Sequence, residues 1–147
     1  MAKTHLECRE CQKEYESTFK YICDECFGPL DVHYNFPKVT KETFHNREKT
    51  YWRYHELLPI HDKKNIVSIE AGMTPLVKAE KLGDELGLSN LYIKNDSVNP
   101  TFSFKDRPAG VAISKAKEFG LQSVGCASTG NLASATAAHA AKANMPC

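Results

Sequence analysis

Asn99-Pro100-Thr101-Phe102-Ser103-Phe104-Lys105-Asp106-Arg107-Pro108 is the stretch from which the rest of the chain can be read. Pro108 lacks a backbone N–H and its ring clashes with the turn before it, so it cannot lie inside a helix. The first turn tolerates it, which sets a helix start near Lys105 or Asp106, with Asp106 as the N-cap. The helix runs to about Phe119, and Gly120 takes the position that favours left-handed backbone. Lys105 therefore stands at the mouth of a helix, after a loop over 97–103 and a short strand over 91–94.

Working outward, the pattern repeats. Residues 78–86 read as a short helix closed by Gly87, and 123–127 as a short buried strand of small residues. Ser128-Thr129-Gly130 is a turn, followed by an Ala-rich helix over 131–143. A further strand is expected after Met145-Pro146. Strand and helix alternating in this rhythm predict an α/β fold, a parallel sheet with crossover helices. Upstream, residues 35–70 are polar, aromatic and charged, and Pro37 and Pro59 bound an expected helix. In it Tyr51, Tyr54, His55 and Leu58 would share one face.

A parallel sheet binds ligands beyond the carboxyl ends of its strands. A lysine placed there, near the positive end of a helix dipole, loses affinity for its proton. A neutral amine is what Schiff-base formation requires. Phe102 and Phe104 flank Lys105 and are expected to shield it from water. One strand–helix unit later, Ser128, Thr129 and Gly130 precede the first N–H groups of a helix, a receptor for an anion such as a carboxylate. The same residue types also serve as plain helix caps. Opening on the same sheet edge as Lys105 favours a site. Asp106 and Arg107 read as a cap and an ion-pair residue supporting the lysine loop, and the six histidines form no ligand or triad spacing.

Four of the six cysteines form two Cys-x-x-Cys pairs, Cys8/Cys11 and Cys23/Cys26. Two such turns present four thiolates to one tetrahedral ion, giving a zinc-ribbon-like segment with a structural metal. A redox dithiol needs an adjoining strand and helix that this segment lacks. Gln12 stands where many such turns carry Gly. Cys126 and Cys147 read as small buried hydrophobes. The net charge of +1 supplies no field for nucleic acid, and no apolar run approaches a membrane span. With no signal-like start, the expectation is a soluble, cytoplasmic protein.

With these motifs in hand, the chain resembles threonine synthase of the tryptophan-synthase-β-like (fold type II) pyridoxal-phosphate enzymes. The matching pieces are Glu70-Ala71-Gly72-Met73-Thr74-Pro75-Leu76, Ser103-Phe104-Lys105-Asp106-Arg107 and Ser128-Thr129-Gly130-Asn131. The resemblance implies that Lys105 holds pyridoxal 5'-phosphate through a Schiff base and moves protons, and that Asn131 hydrogen-bonds its phenolic oxygen. Ser128, Thr129 and Gly130 would receive the substrate carboxylate. It further implies a carbon–oxygen lyase converting O-phospho-L-homoserine and water to L-threonine and phosphate, an amino-acid phosphate substrate, and a homo-oligomer at full length. Phe102 stands where such enzymes often have Gly, so its ring is expected against the cofactor face; Leu132 departs similarly beside Asn131.

The organisation expected is a zinc-ribbon-like segment over 1–34, a linker over 35–70 and the front of the catalytic domain over 71–147. No Gly-rich phosphate loop is present, so the chain is expected to be a fragment, incomplete and inactive alone. Cysteate synthase and threonine dehydratase would share Lys105 and Asn131. A zinc-ribbon binding module without catalysis is the reading from another class, and the acidic residues Glu7, Glu10, Glu14, Glu16, Asp24 and Glu25 weigh against it as a nucleic-acid binder.

Overall fold

A computed structural model describes residues 3–147. The N-terminal segment is a three-stranded sheet of β1 (Lys3–Cys8), β2 (Glu14–Glu16) and β3 (Leu30–Asn35), with β1 in the middle and both pairings antiparallel. Side chains alternate across a strand. Leu6 and Cys8 face inward and are buried, while Lys3, His5 and Glu7 take the other face.

The helix expected between Pro37 and Pro59 is absent. Two short 3-10 turns, Lys41–Phe44 and Tyr51–Leu57, replace it, Tyr54 (φ −100°, ψ 23°) breaks the second, and a third turn, Lys63–Asn65, follows Pro59. The cause is local. The Arg47 guanidinium donates to the Arg53 carbonyl, the acceptor a continuous helix would give to Leu57. Pro59 meanwhile holds Leu58 extended. The expected shared face therefore splits: Tyr51, Trp52 and His55 are buried, and Tyr54 is exposed.

Beyond residue 70, β4 (Leu76–Lys78) pairs antiparallel with β5 (Tyr92–Lys94), joined through α1 (Glu80–Leu86). Helix α2 spans Asp106–Glu118 and α3 spans Asn131–Lys142, close to the limits read from sequence. Gly87 and Gly120 close α1 and α2 with φ of 69° and 70°.

The parallel sheet is not what the structure shows. Both sheets among the described residues are antiparallel. Residues 123–127 run without a ladder, and one bond, from the Val124 N–H to the Pro146 carbonyl (3.0 Å), marks where such a pairing would lie. A strand is defined by its partners, and one hydrogen bond does not make a ladder.

The core has two parts. Tyr51, Trp52, Ile60 and Ala71 cluster beneath the linker, and Val67, Ile113 and Ala140 cluster between α2 and α3. Glu118 anchors the linker to α2 by accepting from the His61 and Asp62 N–H groups (2.8 and 2.9 Å). No described helix is long and apolar enough to cross a membrane.

Candidate active site and cysteine cluster

Helix α2 starts where Pro108 requires, but the capping differs from the expectation. Lys105, not Asp106, is the half-helical residue before the first turn, and no side chain caps it. The Asp106 carboxylate turns back to the loop instead. It accepts from the Thr101 N–H (2.8 Å) and the Thr101 hydroxyl (2.9 Å), and Ser103 Oγ accepts from the Lys105 N–H (3.2 Å). Asn99, also buried, accepts from the Gly72 N–H through Oδ1 (3.0 Å). The loop carrying Lys105 is thus pinned at both ends by its own side chains.

The segment Glu70–Leu76 is held to the same loop by charge. Arg107 makes a two-pronged bond to Asp96 (2.8 Å from each nitrogen), and the Thr74 hydroxyl donates to Asp96 Oδ1 (2.5 Å). The Arg107 guanidinium, followed by Thr74, holds the Asp96 carboxyl down to about 2. Arg107 is accordingly the ion-pair residue expected, with Asp96 its partner. Gly72 has φ 92°, and a Cβ there would lie 2.9 Å from the Tyr51 nitrogen, so only glycine fits.

Phe102 and Phe104 do not shield Lys105. They are 80% and 56% exposed, and Phe102 adopts left-handed backbone (φ 57°), which turns its ring into solvent. Glycine adopts that backbone without the steric cost a side chain carries. The half-buried Lys105 places Nζ 4.7 Å from the Phe104 ring centroid, and among the described residues no carboxylate pairs with it.

At the second turn, Gly130 precedes α3 and no side chain caps the helix. Ser128 Oγ accepts from the Gly130 N–H (3.3 Å), so the hydroxyl is not spent on the helical N–H groups. Thr129, Gly130 and Asn131 are exposed, and Ser128 is half-buried. Leu132 lines a cavity of about 270 Å³ with Pro108, Ala112, Val124, Cys126 and Thr136, between the first turns of α2 and α3. Among the described residues no hydrogen bond joins Lys105 to Asn131 or to the Ser128–Gly130 turn. What the two turns present is an amine without an acidic partner and an uncapped helix start. That donor set fits a cofactor with an aldehyde and a substrate with a carboxylate.

Neither Cys126 nor Cys147 is the buried hydrophobe expected; both are exposed. The other four converge. One Sγ from each of Cys8, Cys11, Cys23 and Cys26 lies within 4.8 Å of the others, with Cys8–Cys26 at 3.4 Å and Cys11–Cys23 at 3.6 Å. A zinc–sulfur bond of ~2.3 Å gives a tetrahedron with edges of ~3.8 Å, so these separations suit one ion. The two turns share one construction. The N–H of Gln12 donates to the Cys8 carbonyl and that of Phe27 to the Cys23 carbonyl, and both residues have positive φ (61° and 58°). The Tyr15 hydroxyl, 3.0 Å from Cys23 Sγ, favours the thiolate and brings that cysteine's pKa to about 6.

Comparison with known proteins bears on the catalytic half first. The family model for pyridoxal-phosphate dependent enzymes matches residues 67–147, more than half of the chain. The chain belongs to the pyridoxal-phosphate dependent enzyme family. Its relatives include a protein named threonine synthase from Methanocaldococcus jannaschii, 43% identical over 145 residues, covering 95% of this chain and 36% of that protein. A threonine synthase of Methanosarcina acetivorans is 41% identical over 145 residues, covering 97% and 35%. One of Halalkalibacterium halodurans is 43% identical over 94 residues, covering 64% and 26%. The chain spans about a third of the length of the Methanocaldococcus and Methanosarcina relatives, and those matches take in the cysteine segment.

For this pyridoxal-phosphate family chain, sequence reading missed two residues. Asp96 escaped because its partner, Arg107, belongs to another element, α2, and no helical or strand spacing links the two. His139, fully buried on α3, has no ligand or triad spacing to mark it. The signal was its place in the stripe Ala135, Thr136, His139 and Ala140, all buried at helical spacing.

Proposed function

We propose that this chain is the front part of a pyridoxal-phosphate dependent threonine synthase, acting on O-phospho-L-homoserine and water to give L-threonine and phosphate. The observation that carries the reading is the set of threonine synthase relatives that match along 95–97% of the chain, together with the lysine and Ser-Thr-Gly-Asn motifs they accompany. Pyridoxal phosphate, when bound, supplies an electron sink. Lys105 is the amine that anchors it and afterwards takes and returns protons. Asn131 donates to its phenolic oxygen, and the N–H groups and hydroxyls of Ser128, Thr129 and Gly130 receive the substrate carboxylate. The uncapped start of α3 and the free amine at α2 support these roles.

Cys8, Cys11, Cys23 and Cys26 bind one structural zinc ion in this reading. Four thiolates leave no open coordination position, so the ion holds the hairpins together and takes no part in the chemistry.

The test is product analysis with the full-length protein. O-phospho-L-homoserine is expected to yield threonine and phosphate in equal amounts, and Lys105→Ala to abolish both. Turnover of phosphoserine with sulfite, or of threonine, with none of phosphohomoserine, would assign another reaction of the same family.

A further inference from the structure

The outer face of the N-terminal sheet carries a second cluster of metal-binding side chains, apart from the cysteines. In the antiparallel pairing of β1 with β3, His5 stands directly opposite His33, and Glu7 follows His5 by two residues on the same face. The two imidazoles lie 5.4 Å apart between centroids, tilted by 32°. Glu7 Oε2 lies 3.7 Å from His33 Nδ1. One ligand atom from each of the three lies within 4.8 Å of the other two.

The neighbouring charges sort themselves so as to leave this set free. Asp31, cross-strand from Glu7, is engaged by Arg9 through two bonds (3.0 and 2.7 Å). Glu7 is thus the carboxylate left to the imidazoles. Glu14 and Glu16, opposite Glu7 and His5 on β2, are exposed and add negative potential on the same face.

We propose that His5, Glu7 and His33 form a second, surface metal site for a borderline divalent ion such as Zn²⁺, Co²⁺ or Ni²⁺. Two imidazoles and a carboxylate are the donor set such ions prefer, whereas Mg²⁺ and Ca²⁺ favour oxygen ligands alone. Nitrogen and oxygen ligands ~2.0–2.2 Å from an ion lie closer together than 4.8 Å, so binding needs a modest rotamer adjustment of the exposed His33 and the half-buried His5 and Glu7. Three protein ligands leave positions for water, in contrast to the closed four-thiolate cluster. Strand alternation turns Glu7 and Cys8 to opposite faces, so the two sites bind independently.

The experiment is a zinc titration of the full-length protein, starting from protein whose first equivalent is already bound. The wild type is expected to take up a second equivalent. His33→Ala should weaken that second step by at least about tenfold, the lower end of what loss of even an outer-shell partner of a ligand costs, and leave the first unchanged. Cobalt should report the second step without thiolate-to-metal charge-transfer absorption. As a readout independent of the variant, imidazole NMR signals of His5 and His33 should move with the second equivalent while that of His45 stays. Uptake of a single equivalent, or a second step that leaves His5 and His33 unmoved, would overturn the proposal.

Discussion

Asp106 Oδ1 and His139 Nε2 lie 3.5 Å apart, and both residues are fully buried between α2 and α3. The separation is short enough for charge to be felt and too long for a good hydrogen bond, so neither ring nitrogen of His139 has a partner among the described residues. Asp106 adjoins Lys105 and bonds Thr101, and His139 sits on the helix that opens at Asn131. This contact is where the lysine loop and the second turn meet through the protein interior.

Removal of Asp106 is expected to be costly. Asp106→Ala strips the Thr101 N–H and hydroxyl of their acceptor and leaves His139 without its charged neighbour. Loss of buried, charge-assisted bonds of this kind costs about 2–4 kcal/mol. Urea unfolding checks it; a change below ~0.5 kcal/mol, the level of an ordinary surface substitution, would contradict the arrangement.

Acid should loosen the same interface before it reaches the carboxylates. Burial, opposed by the Asp106 charge, holds the His139 pKa below its ordinary value, and burial lowers that of His55 too. An unfolded histidine titrates near ~6.5, so below that pH the unfolded chain binds protons the folded one refuses. The stability contributed by a neutral His139 is therefore complete above about pH 6.5 and declines as pH falls, by at most about 1.4 kcal/mol per unit. Denaturation midpoints between pH 7.5 and 5 are expected to fall, with a shallower slope in His139→Gln. Equal slopes would count against it.

Gly110 is a point of close approach in this interface. A Cβ there would overlap Tyr51 Oη and lie 2.8 Å from His139 Cε1. Gly110→Ala should cost about 1–3 kcal/mol by overpacking. Tyr51→Phe removes the hydroxyl that clashes, so in its background the same change should cost less. Additive losses in the double variant would show that the two positions do not touch.

Asp96 ties the Glu70–Leu76 segment to α2. Asp96→Asn is expected to cost about 2 kcal/mol, since a charged pair with Arg107 becomes a neutral contact. Its carboxyl is held down to about 2, so the wild-type contribution is complete above ~4 and is lost as pH falls toward that value. Melting curves at pH 7 and pH 2 should therefore separate the two proteins at the higher pH and bring them together at the lower.

The parts that sequence revealed are those governed by strict local rules. Pro108 fixed the start of α2, Gly87 and Gly120 the ends of α1 and α2, and the paired Cys-x-x-Cys spacing the sulfur cluster. Gln12 occupies a turn position where Gly is usual, and its φ of 61° shows why. What sequence did not reveal depends on which of several available partners a side chain takes, and spacing alone does not decide that. Arg47 captures a carbonyl and breaks the linker helix, Asp106 turns from a cap into a loop anchor, and Phe102 rotates into solvent instead of covering Lys105. The parallel sheet rested on periodicity, which gives a strand but not its neighbour.

The assignment of Lys105 is tested most directly by borohydride reduction of the full-length protein with pyridoxal phosphate, followed by peptide mapping. One label per chain is expected, on Lys105, and it should be lost in Lys105→Arg while other lysines stay unmodified. A stoichiometric label on another lysine, with Lys105 bare, would contradict it.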